Sequence, residues 1–217
     1  MNRTNRRRFC LAVCFVAAFT LWTVLICIVD VKPIGPGGST VGFATVNQFV
    51  HDLTGVHMTL YTITDWLGLV PLLFAMGFAF LGLLQWIRRK KLTRVDRSIL
   101  LLGGFYLATM AAYVFFENVV VNYRPVLIDG FLEASYPSST TMLAMCVMPT
   151  AIMQFHTRIK NNRLRQCTDI LMTVFILFMV VGRLISGVHW FTDIVGGILL
   201  STGLVLLYRA IADLDAK

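Results

Sequence analysis

The chain has 217 residues, of which 57% are hydrophobic and only 14% charged. That excludes an ordinary soluble domain, in which about half of the residues are apolar and a quarter charged. The net charge of +8 does not point to nucleic acid, because the basic residues fall in short runs between long apolar segments, as membrane topology demands.

Six segments reach the ~20 residues needed to cross a hydrocarbon core: residues 9–29, 61–87, 98–121, 138–155, 168–185 and 190–211. The first follows Arg3, Arg6, Arg7 and Arg8. Its apolar run is long and no small-x-small cleavage site follows, so it is read as an uncleaved span and not a signal peptide. The next loop begins "DVKPIGPGGST", a turn-rich linker. In "STVGFATVNQFVHDLTG", Phe43, Val46, Val50 and Leu53 recur at helical spacing, with Ser39 or Thr40 as N-cap. This predicts a short helix lying along the membrane surface.

Arg88, Arg89, Lys90, Lys91, Arg94 and Arg97 join the second and third spans. Arg158, Lys160, Arg163 and Arg165 join the fourth and fifth, and Arg209 and Lys217 follow the sixth. The opposite face has only Lys32, Arg124 and Arg183. The positive-inside rule then places both termini in the cytoplasm. The expected fold is an all-α polytopic membrane protein, a single domain over residues 1–217 with six transmembrane helices. The five cysteines have no Cys-x-x-Cys pair and no Cys/His cluster, so they read as packing residues.

Outside the basic loops few ionisable residues remain: Asp65, Glu117, Arg124, Asp129, Glu133, Arg183, His189 and Asp193. All are predicted near one membrane boundary, and ionisable groups in spanning segments usually face the bundle interior and mark function. They cluster at one face and trace no path across the bilayer, which argues against a transporter. His189 and Asp193, four apart at the start of the sixth span, share a helix face, so the carboxylate can orient the imidazole. Arg183 can fold back over the histidine through the turn at Ser186–Gly187. Pro137, Ser138 and Ser139 open the fourth span, where free backbone N–H groups and the helix dipole favour an anion. Arg124 and Arg183 carry planar forks that match phosphate oxygens.

The order Arg-Pro, Pro-Ser-Ser, Arg-x5-His-x3-Asp resembles the type 2 phosphatidic acid phosphatase family, which is related to the vanadium haloperoxidases. Its blocks KxxxxxxRP, PSGH and SRxxxxxHxxxD correspond to "ENVVVNYRP" (117–125), "PSST" (137–140) and "GRLISGVHWFTD" (182–193). The resemblance implies a lipid phosphatase of the bacterial cytoplasmic membrane with an outward-facing site. His189 would be the nucleophile that forms a phosphohistidine, and Asp193 would orient it. Arg124, Arg183, Ser138 and the backbone at Ser139 would hold the phosphate. No metal or other cofactor is implied. The partners would be the bilayer and a lipid phosphate such as phosphatidic acid, phosphatidylglycerol phosphate or a polyprenyl diphosphate.

Two positions depart from the family pattern. Glu117 stands for the lysine of the first block, and Thr140 for the histidine that closes the second. Ser139 for glycine and Gly182 for serine are lesser changes. The missing histidine is the proton donor to the leaving oxygen, help worth roughly 100- to 10,000-fold. Loss of it favours a diphosphate, whose leaving group is a stable anion, over a monoester. Glu117 is expected first to pair with an arginine; with Tyr123 it is a candidate modulator. The alternative is a catalytically silent member of the family that binds a lipid phosphate without turnover.

Overall fold

The computed structural model describes residues 3–215; Lys217, counted above with the basic end, lies outside them. Eight α-helices follow one another: α1 (Arg3–Ile28), α2 (Ala44–Thr54), α3 (Met58–Leu67), α4 (Leu69–Arg89), α5 (Arg97–Asn118), α6 (Ser139–Arg158), α7 (Asn162–Ile185) and α8 (Phe191–Asp215). The fold is all-helical, with no strand among the described residues beyond isolated bridges.

α1 lies antiparallel along α8. Asn5 Nδ2 donates to the Ala210 carbonyl at one end (3.0 Å), and Trp22 Nε1 to the Thr192 carbonyl at the other (3.1 Å). α6 is the axis of the molecule and packs against α4, α5, α7 and α8. Its Ala144, Cys146, Val147, Met148 and Ala151 are buried. Two of its polar groups bond to neighbouring helices: Thr150 Oγ1 lies 3.1 Å from the Tyr106 hydroxyl, and Gln154 Nε2 donates to the Tyr208 hydroxyl at 2.8 Å.

Five stretches are long and apolar enough to span a membrane: α1, α3 with α4, α5, α7 and α8. The expected fourth span is α6, which is 20 residues long but less apolar than the others because it faces protein on most sides. The basic runs gather at one end of the bundle. There Arg89 pairs with Asp96 between α4 and α5 (2.8 Å), His156 meets Asp169 between α6 and α7 (2.7 Å), and Arg8 reaches Asp213 between α1 and α8.

Three boundaries differ from the sequence reading. The expected span 61–87 is two helices broken at Gly68, whose N–H is shared between the Thr64 and Asp65 carbonyls at 3.0 Å each. Pro71, three residues on, has no N–H for the next helical bond, and its ring would crowd the Leu67 carbonyl. α7 begins at Asn162, six residues before the expected start, because the Asn161 side chain caps it by accepting from the N–H groups of Arg163 and Leu164. The helix α2, expected along the membrane surface, starts at Ala44 and is not capped by Ser39 or Thr40. Asp30, from beyond the end of α1, reaches across and accepts the Thr45 N–H at 2.7 Å. Bonds from Lys32 and Thr45 hold the Asp30 carboxyl at a pKa of about 2. On α2, Val46, Phe49 and Leu53 face outward, whereas Asn47 is buried.

Candidate active site

At the end of the bundle opposite the basic runs, four elements converge: α3, the 119–138 loop with the start of α6, the last turn of α7, and the turn into α8. The loop is a hairpin. Ile128 and Phe131 exchange backbone hydrogen bonds (3.1 and 2.8 Å) around Asp129 and Gly130, both at positive φ. Such a two-residue turn needs left-handed conformations, which Asp-Gly supplies. The hairpin returns Glu133 beside Arg124, whose N–H donates to the Glu133 carbonyl at 3.0 Å. Arg124 Nε also lies 3.0 Å from the Glu133 carboxylate, but the N–H does not point at it. The carboxylate on Arg124 is therefore that of Glu133, not the expected Glu117, because the hairpin sets the register. Glu117 lies in the last turn of α5 and lines a narrow cleft with Tyr113, Ser139 and His189.

His189 follows the turn after α7 and is 3% exposed. Its Nδ1 lies 3.2 Å from the Ser135 carbonyl, and its Nε2 lies 3.3 Å from Arg183 Nη2. A carbonyl only accepts and a guanidinium only donates. Both contacts fix the same tautomer, with the proton on Nδ1 and the Nε2 lone pair turned toward Arg183. Burial first, then the charges of Arg124 and Arg183, hold the imidazole well below its ordinary pKa of 6.5, so the ring is a neutral base or nucleophile.

A pH effect follows. Below about pH 6.5 the unfolded chain takes up a proton at His189 that the folded site refuses. Folding stability is therefore lost as pH falls through that range. Thermal melting in detergent from pH 8 to pH 5 should show this acid loss, and His189→Gln should flatten it.

Asp193, in the first turn of α8, is fully buried. Its Oδ2 accepts the Trp190 N–H at 2.9 Å, and its Oδ1 accepts from Asn122 Nδ2 at 3.2 Å. The first bond is a side chain at N3 reaching back to the N-cap, half of a capping box. Oδ2 stands 3.7 Å from His189 Nδ1, outside hydrogen-bond reach, so the bond that orients the ring comes from the Ser135 carbonyl.

Asn122 ties this point to α2. It donates to Thr192 Oγ1 at 3.4 Å, as does Asn47 Nδ2 of α2 at 3.0 Å. Tyr123, the other candidate modulator, accepts Trp190 Nε1–H on its carbonyl at 2.8 Å.

Ser138 caps α6 with its N–H donating to the Asp193 carbonyl at 3.1 Å, and Ser139 is the first helical residue. Buried donors without partners collect here: Ser138 Oγ, Arg124 Nη1 and Arg183 Nε. Each such group costs on the order of 1–3 kcal/mol when desolvated without a bond. Three together can serve an acceptor-rich anion.

Arg183 and Arg124 both lie over the ring of Tyr61, at 4.9 and 5.9 Å. The ring face holds two like charges side by side through cation–π attraction. Thr140, second in α6, lines a mostly apolar cavity of about 330 Å³ that runs between α4, α5 and α6. Asp65, Ser139 and Tyr113 line it as well. Among the described residues no three His, Cys, Asp or Glu side chains converge as a metal-ligand set.

Sequence reasoning did not find Tyr61, Ser135 and Asn122, and it noted Asp65 and Glu133 without placing them. Tyr61, Thr64 and Asp65 fall on one face of α3, although Thr59 and Thr62 on the same helix blur that pattern. Ser135 acts through its carbonyl, which no side-chain pattern reveals.

The turn that presents His189 is tightly built. Gly187 has φ +69°, and a Cβ there would stand 2.0 Å from the Gly55 carbonyl oxygen. Gly187→Ala should lower stability by about 2 kcal/mol or more. It should also displace His189 enough to cost on the order of 100-fold in any reaction there. A melting curve with a rate assay checks both.

Residues 119–215 match the family model described as the PAP2 superfamily. Among solved structures the chain is similar to one described as the crystal structure of the first transmembrane PAP2 type phosphatidylglycerolphosphate phosphatase from Bacillus subtilis. The TM-score is 0.62 at 16% identity, over 93% of this chain and 96% of that one, a likeness of fold. No curated protein matched the sequence.

Proposed function

We propose that the chain, whose residues 119–215 match the PAP2 superfamily model, is a type 2 phosphatidic acid phosphatase that removes phosphate from a membrane lipid phosphate, with a preference for diphosphates. The observation that carries this reading is the set of buried, unpartnered donors on Ser138, Arg124 and Arg183 around a histidine whose Nε2 lone pair is turned toward Arg183.

In this reading the phosphate sits on the two arginines and the start of α6. His189 Nε2 attacks phosphorus, the bond to the lipid oxygen breaks, and a phosphohistidine forms. The arginines, Ser138 and the backbone at Ser139 stabilise the charge that builds on the equatorial oxygens. Asp193 holds the start of α8, and with it the turn that carries His189. Water then releases phosphate. Thr140 cannot supply a proton near neutral pH, which disfavours an alkoxide leaving group and leaves a lipid phosphate leaving group little affected.

The cavity beside Thr140 suits the lipid chain, since it runs down between α4, α5 and α6 and is lined by Leu69, Leu72, Met110 and Leu143. The proposed topology has six spans, α6 being the enclosed one, with both termini at the basic, cytoplasmic end. The site then faces outward from a bacterial cytoplasmic membrane, and α2 lies at that surface. The deciding experiment is phosphate release by the purified protein in detergent from a polyprenyl diphosphate and from phosphatidic acid. Release from the diphosphate, lost in His189→Ala, is the expected result. Thr140 also favours a second reading, a silent binder of lipid phosphates. Absence of turnover on both substrates, with binding of lipid phosphate lost in Arg183→Ala, would establish it.

A further inference from the structure

The reaction just described gives no role to the carboxylate beside Arg183. Asp65 of α3 stands 3.6 Å from Arg183 Nη1, while Nη2 of the same guanidinium lies 3.3 Å from His189 Nε2. One planar fork therefore has the nucleophile at one tip and a carboxylate at the other. The Asp65 side chain is 57% exposed and lines the cavity it shares with Ser139, Thr140 and Tyr113. A phosphoryl group bonded to Nε2 and resting on this fork lies between His189 and Asp65.

In-line displacement sends the leaving group out on the face away from Nε2, and the hydrolytic water arrives on that same face. Asp65, Ser139 and Thr140 line the cavity that can receive both. A proton carrier is needed there for the second step, and Thr140, at the position where the family pattern has histidine, does not titrate near neutral pH.

We infer that Asp65 is the general base of that second step, an assignment that rests on the phosphatase reading above. Water held by the Asp65 carboxylate attacks phosphorus and gives its proton to the carboxylate. The P–Nε2 bond breaks, its electron pair returns to Nε2, and inorganic phosphate is released. The proton then leaves Asp65 for solvent at its exposed edge. The first step needs no proton carrier when a lipid phosphate departs. A counter-ion role alone would act through Arg183 and change substrate binding, with no effect confined to one half of the reaction.

The test uses the full chain in detergent, a polyprenyl diphosphate labelled at its terminal phosphate, and rapid quenching into alkali, which preserves phosphohistidine. Asp65→Asn should still release about one lipid monophosphate per protein in a burst. It should accumulate labelled His189 and slow steady turnover by roughly 100-fold or more. Adding Thr140→His to Asp65→Asn should restore turnover, and Asp65→Ser, run in parallel, should stall at the same point.

Wild-type turnover in both Asp65 variants overturns the assignment. So does slowed turnover without accumulated phosphohistidine, which would mark a binding role. Wild-type protein that releases no phosphate and takes up no label overturns the phosphatase reading itself, and this assignment with it.

Discussion

Replacing Thr140 by histidine raises phosphate release from phosphatidic acid by roughly 100- to 10,000-fold and changes release from a polyprenyl diphosphate far less. The reason lies in the two leaving groups. An alkoxide is a poor leaving group unless it is protonated as the P–O bond breaks, whereas a lipid phosphate departs as a stable anion. Thr140 is half-buried at the second position of α6 and opens on a cavity of about 330 Å³, which leaves room for an imidazole. Threonine and histidine have similar helix propensities, so the exchange costs the helix little. The measurement is a pair of progress curves, one per substrate, on both proteins. An unchanged monoester rate in a folded Thr140→His protein would mean that position 140 is not where the missing proton is needed.

Arg183→Lys lowers kcat/KM by about 100- to 1,000-fold, the cost of removing an electrostatic contact to the transition state. The substitution keeps the charge and loses the geometry. Arg183 is 1% exposed, lies 4.9 Å above Tyr61, and uses its two Nη atoms to face His189 on one side and Thr64 and Asp65 on the other. A lysine ammonium is a single point that cannot span those contacts or stack in the same way. Arg124→Lys should cost less, because the contact to His189 Nε2 is made by Arg183 and not by Arg124. Rate assays and the inhibition constant of inorganic phosphate check the order. Equal losses at the two positions would contradict the central place given to Arg183.

Much of this was legible in the sequence, and the illegible parts share a physical cause. Long apolar runs and basic loops declare the helices and the charged end, because bilayer thickness and topology constrain composition directly. The site blocks at Arg124, Ser138, Arg183 and His189 were visible because each needs a particular side chain. The break at Gly68 was hidden because apolar residues continue through it, and only Pro71 carried a hint. α6 reads as one span among others in the sequence, yet in the structure it is the enclosed axis, since composition does not say which neighbours a helix has. Glu133 escaped because its partnership depends on hairpin register, although Asp129–Gly130 announces the turn. Tyr61 lies 56 residues before the first signature block, and only the packing of α3 against α7 brings it under both arginines.

The same cavity that runs from Thr140 and Asp65 down between α4, α5 and α6 has a consequence for traffic. Its lining beyond Asp65 and Thr140 is apolar, with Leu69, Leu72, Leu143 and Val147, so a bound lipid would be judged by its head and not by its tail. The two products would also part company on release. Phosphate would leave into water at the end of the bundle, and the dephosphorylated lipid would slide sideways back into the bilayer. Each would be diluted in a different phase, and neither would block the other's way out.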